Sequence, residues 1–155
     1  MNCYKDPASI AISIATPPEL LETIKERYGI DHDPCPLHGH LNGPDGLDRS
    51  IPWGKSNYIN PPYLEAGITG FVDRAIEEMG RGNNSYFLMP MRAHLRYFKK
   101  AMQNCTGVLY FHTGVKFVGY SHVFPQQLAL FEFEAGKPPL YATQTLGKYE
   151  VFGQQ

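Results

Sequence analysis

Ser56-Asn57-Tyr58-Ile59-Asn60 runs straight into Pro61-Pro62-Tyr63, and a helical pattern opens at Glu65. The first run reads as a short strand. It stops at the two prolines, which have no N–H to donate to a ladder. From Glu65 to Met79 the residues Ile68, Phe71, Val72, Ala75, Ile76 and Met79 recur as one core-facing stripe. Gly80-Arg81-Gly82-Asn83-Asn84 ends that helix, and Tyr86 to Met89 reads as a buried strand closed by Pro90. Strand, helix, strand in this order predicts parallel pairing through a crossover helix.

Upstream, Glu19 to Tyr28 reads as a helix with Leu20, Leu21, Ile24 and Tyr28 on one face. Thr16 is placed to be its N-cap, Pro17 suits the first turn, and Gly29 ends it. Ser9 to Ala15 carries alternating isoleucines, the period of a half-buried strand rather than a signal peptide. Residues 31–55 are rich in proline, glycine, histidine and aspartate. An irregular stretch of that length inside a compact domain is usually functional. Downstream, His94 to Gln103 reads as a short basic helix. Strand-like runs follow at Val108 to His112, Val115 to Val118, Leu128 to Glu134 and Tyr149 to Phe152, predicting an antiparallel C-terminal edge. The fold class is α/β with one mixed sheet, mainly of parallel strands, in a single domain over 1–155.

The chain has 155 residues, a formal charge of -1, 43% hydrophobic and 19% charged residues. That composition excludes collagen-like, coiled-coil and disordered classes. It also argues against a protein that holds nucleic acid mainly by a basic field, while leaving room for an enzyme that visits it briefly. Three widely spaced cysteines, Cys3, Cys35 and Cys105, argue against a disulfide framework and for a reducing, cytoplasmic compartment. No apolar run approaches the roughly 20 residues that span a bilayer.

Asn60 and Pro61 sit where ligands bind in open α/β sheets, outside the carboxyl end of a strand. An amide side chain and a peptide carbonyl, fixed by two prolines, offer two acceptors to one planar exocyclic amine. Tyr63 offers a flat face on which a base stacks. The plainer reading is a proline turn that ends a strand.

Asn60-Pro61-Pro62-Tyr63 looks like motif IV of the S-adenosylmethionine-dependent amino-methyltransferases. Thr16-Pro17-Pro18-Glu19-Leu20 looks like their N-terminal cofactor motif, and Asp33-Pro34-Cys35-Pro36 like the acidic turn after their first strand. With Asp45-Gly46-Leu47, Trp53-Gly54, Leu88-Met89-Pro90-Met91-Arg92, Gly114-Val115-Lys116-Phe117 and Phe124-Pro125, the ordered set over about 14–134 resembles the compact phage-type, Dam-like DNA N6-adenine methyltransferases. The resemblance implies a Rossmann-like methyltransferase domain, compressed relative to typical members. It implies that Thr16, Pro17, Asp33, Cys35, Asp45 and Leu47 hold S-adenosyl-L-methionine, Asp45 taking the adenine amine. It implies that Asn60, Pro61, Pro62 and Tyr63 grip a flipped adenine, with Phe117 as a second stacking face. DNA is then a transient substrate, contacted by Arg92, Arg96, Lys116 and Phe117, in the host cytoplasm for a phage-encoded chain. A domain this small touches few base pairs, which points to a homodimer or to low specificity.

The chain departs from that family in four places, the first being Ala15, where relatives often carry tryptophan or a charged residue just before the Thr-Pro pair. Leu37-His38-Gly39-His40 replaces a Gly-rich loop. Only 26 residues, 34 to 59, separate Asp33 from Asn60. Val115 stands where relatives often carry arginine. A methyltransferase-like binding module without cofactor, and a methyltransferase acting on RNA or protein glutamine, therefore stay open as alternatives. Other features take plainer readings. His32, Cys35, His38 and His40 have the residue types of a zinc site, but no second pair follows, and solvated loop histidines are preferred, with no metal. Arg92, Arg96, Lys99 and Lys100 are either a phosphate strip or a solvated helix face. Trp53 is expected to pack under a loop, and Cys35 lacks the support that a nucleophile needs.

Overall fold

The computed structural model describes residues 15–36, 45–63 and 65–155. The elements are α1 (Pro18–Tyr28), β1 (Ser56–Ile59), α2 (Glu65–Gly80), β2 (Asn84–Pro90), α3 (Arg96–Asn104), β3 (Gly107–Tyr110), β4 (Leu128–Phe133), β5 (Tyr141–Leu146) and β6 (Tyr149–Gln154). Residues 9–14 of the expected first strand, and His38 and His40, lie outside the described residues.

β1 to β4 form one mixed sheet in the order β1-β2-β4-β3. β1 and β2 pair in parallel, Ser56 opposite Asn84 and Ile59 opposite Phe87. The expected antiparallel edge is present in β3 and β4, but the expectation of mainly parallel pairing needs correction. β4 is antiparallel to both its neighbours and lies between them, while β3 is the edge. The sequence reading took chain order for spatial order. The returning strand instead buries the more apolar face set, Leu128 to Phe131 and Phe133 being nearly inaccessible to solvent.

Side chains alternate across the sheet and assign its two faces. Tyr86 stacks on Tyr28 of α1 at 3.9 Å, and Leu88 lies on the same face opposite Leu130. Phe87 and Phe131 pair on the other face, where Phe98 of α3 meets Phe131 edge to face at 6.0 Å. The α2 stripe read from sequence is buried at Ile68, Phe71, Val72 and Ala75. Layers of helix on both sides explain why β1 and β2 are buried throughout, apart from Asn84 at the start of β2.

A second sheet of two strands, β5 and β6, is an antiparallel hairpin. It is fixed to α3 by a Lys99–Glu150 ion pair and to β3 by a bond between the Tyr110 and Tyr141 hydroxyls. β5 has no counterpart in the sequence reading. The strand expected at Val115 to Val118 is irregular chain. Its alternation is real, Val115 and Phe117 inward and Lys116 and Val118 outward, but no strand among the described residues runs alongside it.

Candidate functional site

The ends that matter all lie on one side of the sheet. Residues 31–33 add to β1 as a short parallel segment: His32 bridges Asn57, and Tyr58 N–H donates to His32 O at 3.0 Å. Asp33 therefore emerges beside Asn60, the residue that follows β1. Pro90 closes β2 at the same end, and the connection 111–127 joins β3 to β4 there. This is the carboxyl end of the parallel strands, where α/β sheets hold ligands.

Thr16 does not cap α1. Pro17 occupies the N-cap position, and no side chain caps the helix. The Thr16 hydroxyl turns instead to the sheet, 2.6 Å from the Tyr58 hydroxyl and accepting Asn60 Nδ2–H at 3.1 Å. Two long-range polar partners outcompete one local amide. With the amide nitrogen toward Thr16, Asn60 Oδ1 faces away from it. Tyr58 is almost fully buried, and burial pushes its phenol above the usual range. The sequence reading missed Tyr58; the signal available was a polar tip on a strand residue one turn from the prolines.

Asp33 and Asp45 share one local design. Asp33 Oδ1 accepts Cys35 N–H at 2.8 Å, and Asp45 Oδ1 accepts Leu47 N–H at 2.9 Å. Each carboxylate shapes its own turn. The turns abut: a Cβ on Gly46 would stand 2.0 Å from Pro34 O, so only glycine permits this approach. Cys35 Sγ–H in turn donates to Asn60 O at 3.6 Å. Pro17, next to Thr16, is half-buried, and Pro61, Pro62 and Leu47 are buried.

A buried clip holds the Asp45 turn. Arg74 of α2 is fully buried; it pairs with Glu78 at 2.8 Å and donates to Asp48 O and Ile51 O. Its guanidinium lies 5.2 Å from the Trp53 ring, whose Nε1–H donates to Gly46 O at 2.9 Å. Trp53 thus packs under a loop, as expected. Burial would raise the Glu78 carboxyl, but Asn83 and Arg74 outweigh it and hold it below the usual range.

A crevice of about 350 Å³ lies beside this group, lined by Leu21, Lys25, Ile30, Asp31, His32, Asp33 and Tyr58. The Asp33 residue keeps an open edge to solvent. The protein packed around its carboxyl nonetheless pushes it up to about 6, against the pull of the Cys35 N–H and of Lys25. His32 is lowered by burial.

Tyr63 is buried, and its ring meets Phe124 at 5.5 Å and Phe117 at 6.2 Å, both edge to face. Its hydroxyl has no hydrogen-bond partner among the described residues. Neither Tyr63 nor Phe117 turns an open face outward in this conformation. Arg92 is brought to the motif: its Nη1–H donates to Tyr63 O at 3.1 Å and its Nε–H to Gln126 Oε1 at 2.8 Å. Lys99 and Lys100 are taken up by Glu150 and Asp73. Arg96 and Lys116 stand exposed. No group of three metal-ligating side chains occurs among the described residues, nor any helix long and apolar enough to cross a membrane.

No family model matches the chain. A DNA N-6-adenine-methyltransferase of Escherichia phage T1 is 30% identical over 89 residues, 55% of this chain. The chain spans 37% of the length of that relative.

Proposed function

We propose that this chain transfers a methyl group from S-adenosylmethionine to the exocyclic N6 amine of adenine in DNA, the base being drawn out of the helix. The observation that carries this reading is Asn60, its amide oriented by Thr16, at the carboxyl end of β1 and beside the Asp33 crevice. Similarity to the phage T1 protein supports the substrate.

The residues present fit the cofactor. A 350 Å³ crevice falls in the range of small-molecule sites. A crowded carboxyl at Asp33, with its affinity for protons raised, is suited to receive an ammonium group. When bound, the cofactor supplies a methyl already activated on a sulfonium. The chain's task is then position rather than strong base catalysis. Asn60 Oδ1 and the Pro61 carbonyl accept the two amine hydrogens, which aims the nitrogen lone pair along the line of attack. The amine becomes acidic once methylated, so its proton leaves afterwards without a His or Glu at the site. Base extrusion is required because an amine inside a duplex cannot reach that line. Asp45 and Leu47, held by the Arg74 clip, would be the residues to hold the cofactor's adenine.

The enclosed rings of Tyr63 and Phe117 favour a second reading, a methyltransferase-like module that binds without transfer. Thermal denaturation separates the two. A ligand that binds only the folded state raises Tm. S-adenosylmethionine is expected to raise it, and labelled methyl to pass to DNA rather than RNA or peptide, with Asn60→Ala folded and inactive. An unmoved Tm at millimolar cofactor refutes transfer.

A further inference from the structure

Between Glu78 and Glu132 the chain contains no Asp or Glu, yet carries Arg81, Arg92, Arg96, Lys99, Lys100 and Lys116. Arg81, Lys99 and Lys100 pair with Glu78, Glu150 and Asp73, which leaves Arg92, Arg96 and Lys116 of this segment without an acid partner among the described residues. In the middle of this acid-free segment lies the connection between β3 and β4. Its neck is closed by Phe124 N–H donating to Val115 O at 2.8 Å, and Gly114 lies against Val123. Residues 116–122 loop out beyond that neck, and only Phe117 among them is buried.

Tyr120 N–H returns to Phe117 O at 3.2 Å, and Gly119 holds φ +84°, the geometry of a tight turn with glycine in its third place. The turn sends Phe117 inward against Tyr63 and leaves Val118, Tyr120 and Val123 about half exposed. An apolar tip is thus anchored on the Asn60-Pro61-Pro62-Tyr63 motif, with the exposed Lys116 beside it and no acid in its own stretch of chain. Apolar wedges set in basic surroundings are a means of parting stacked bases.

We propose that the 116–122 turn is a nucleic-acid contact, and that the Tyr120 ring enters the base stack at the position a drawn-out nucleotide vacates. This rests on the DNA reading above. The turn supplies outwardly the stacking face that Phe117, buried, does not. Lys116 supplies phosphate contact beside it.

The test is fluorescence anisotropy of the full chain with a labelled duplex carrying one abasic position, and with its intact counterpart, across a range of salt. Wild type is expected to prefer the gapped duplex. Tyr120→Ala is expected to lose that preference, by roughly tenfold in affinity, while Tyr120→Phe keeps it. Lys116→Ala is expected to keep the preference and flatten the salt slope by about one. A gap preference that is absent in wild type, or unchanged in Tyr120→Ala, overturns the inference. Cofactor-induced stabilisation is read separately. If Tm rises with S-adenosylmethionine but Tyr120→Ala changes nothing, only the wedge fails. If Tm does not move but the gap preference vanishes in Tyr120→Ala, the wedge stands and methyl transfer fails.

Discussion

The Thr16 hydroxyl accepts the side-chain N–H of Asn60 at 3.1 Å, linking residues 44 positions apart. Through it the start of α1 sets the direction in which Asn60 presents its oxygen. Thr16→Val removes the hydroxyl at constant shape and leaves Asn60 and Tyr58 each short of a partner. The expected cost is about 1–3 kcal/mol of stability. The expected kinetic effect is a fall in kcat of tenfold or more, restored by Thr16→Ser. Chemical denaturation and single-turnover methyl transfer check the two parts. Equal kcat in Thr16→Val would remove Thr16 from the positioning role.

Asp33 makes the site sensitive to pH in a defined direction. Its carboxyl is raised to about 6, while an unfolded aspartate titrates near about 3.9. Between those values the folded state holds the proton more tightly than the unfolded state. Stability therefore falls as pH rises from about 4 to about 6, and the loss is complete above that window. Asp33→Asn is expected to raise Tm at pH 7 and to flatten this slope. Cofactor affinity should run the opposite way, tightening between pH 5 and 7 as Asp33 ionises to meet an ammonium. Calorimetric titration at several pH values checks it, and a flat profile would place the ammonium elsewhere.

The Arg74 clip is a stability element with a functional consequence. Arg74 and Glu78 are both buried; removing Glu78 strands the Arg74 charge, and removing Arg74 leaves Glu78 to Arg81 and Asn83 and two loop carbonyls without their donor. Arg74→Ala is expected to cost about 3–5 kcal/mol, and Arg74→Met with Glu78→Leu much less. Cofactor affinity should still fall in the double variant, because the Asp48 and Ile51 carbonyls lose their donor and the Asp45 turn loosens. Urea titration with cofactor binding measures both. Unchanged affinity in the double variant would confine the clip to folding.

Tyr63 offers a sharper separation of ring from hydroxyl. Its hydroxyl is buried and unpartnered among the described residues, whereas its ring fills the space between Phe117 and Phe124. Tyr63→Phe is expected to leave Tm unchanged or raise it, and to keep methyl transfer. Tyr63→Ala is expected to cost about 3–5 kcal/mol and to lose transfer. A Tyr63→Phe variant that lost transfer would show that the hydroxyl meets substrate.

How far the sequence reveals all this depends on the range of the forces involved. α1, α2, β1 and β2 are legible because a core stripe such as Ile68, Phe71, Val72 and Ala75 is a local pattern. Asn60-Pro61-Pro62-Tyr63 is legible because prolines constrain the chain wherever it goes. β5 is not: Thr143, Gln144, Thr145 and Leu146 are exposed and show no alternation, and their order comes from pairing with β6. Val115 to Val118 alternates without becoming a strand, since Val118 N–H is taken by Ala15 and Val115 O by Phe124. The Thr16 cap fails for the same reason. Its partners, Tyr58 and Asn60, are distant in the chain, and no window around Thr16 contains them. The Arg74 clip likewise joins α2 to residues more than twenty positions away.

β3 and β4 hang from the sheet by the returning arm alone, β4 against β2, with β3 outermost. A chain lengthened between Val118 and Ser121 would leave Leu128 opposite Pro90 and the anchoring aromatic rings where they are. Insertions at such exposed turns are the kind that folded domains absorb. The reach of the molecule toward a partner can thus drift from one descendant to another while the groups around Asn60 stay in register.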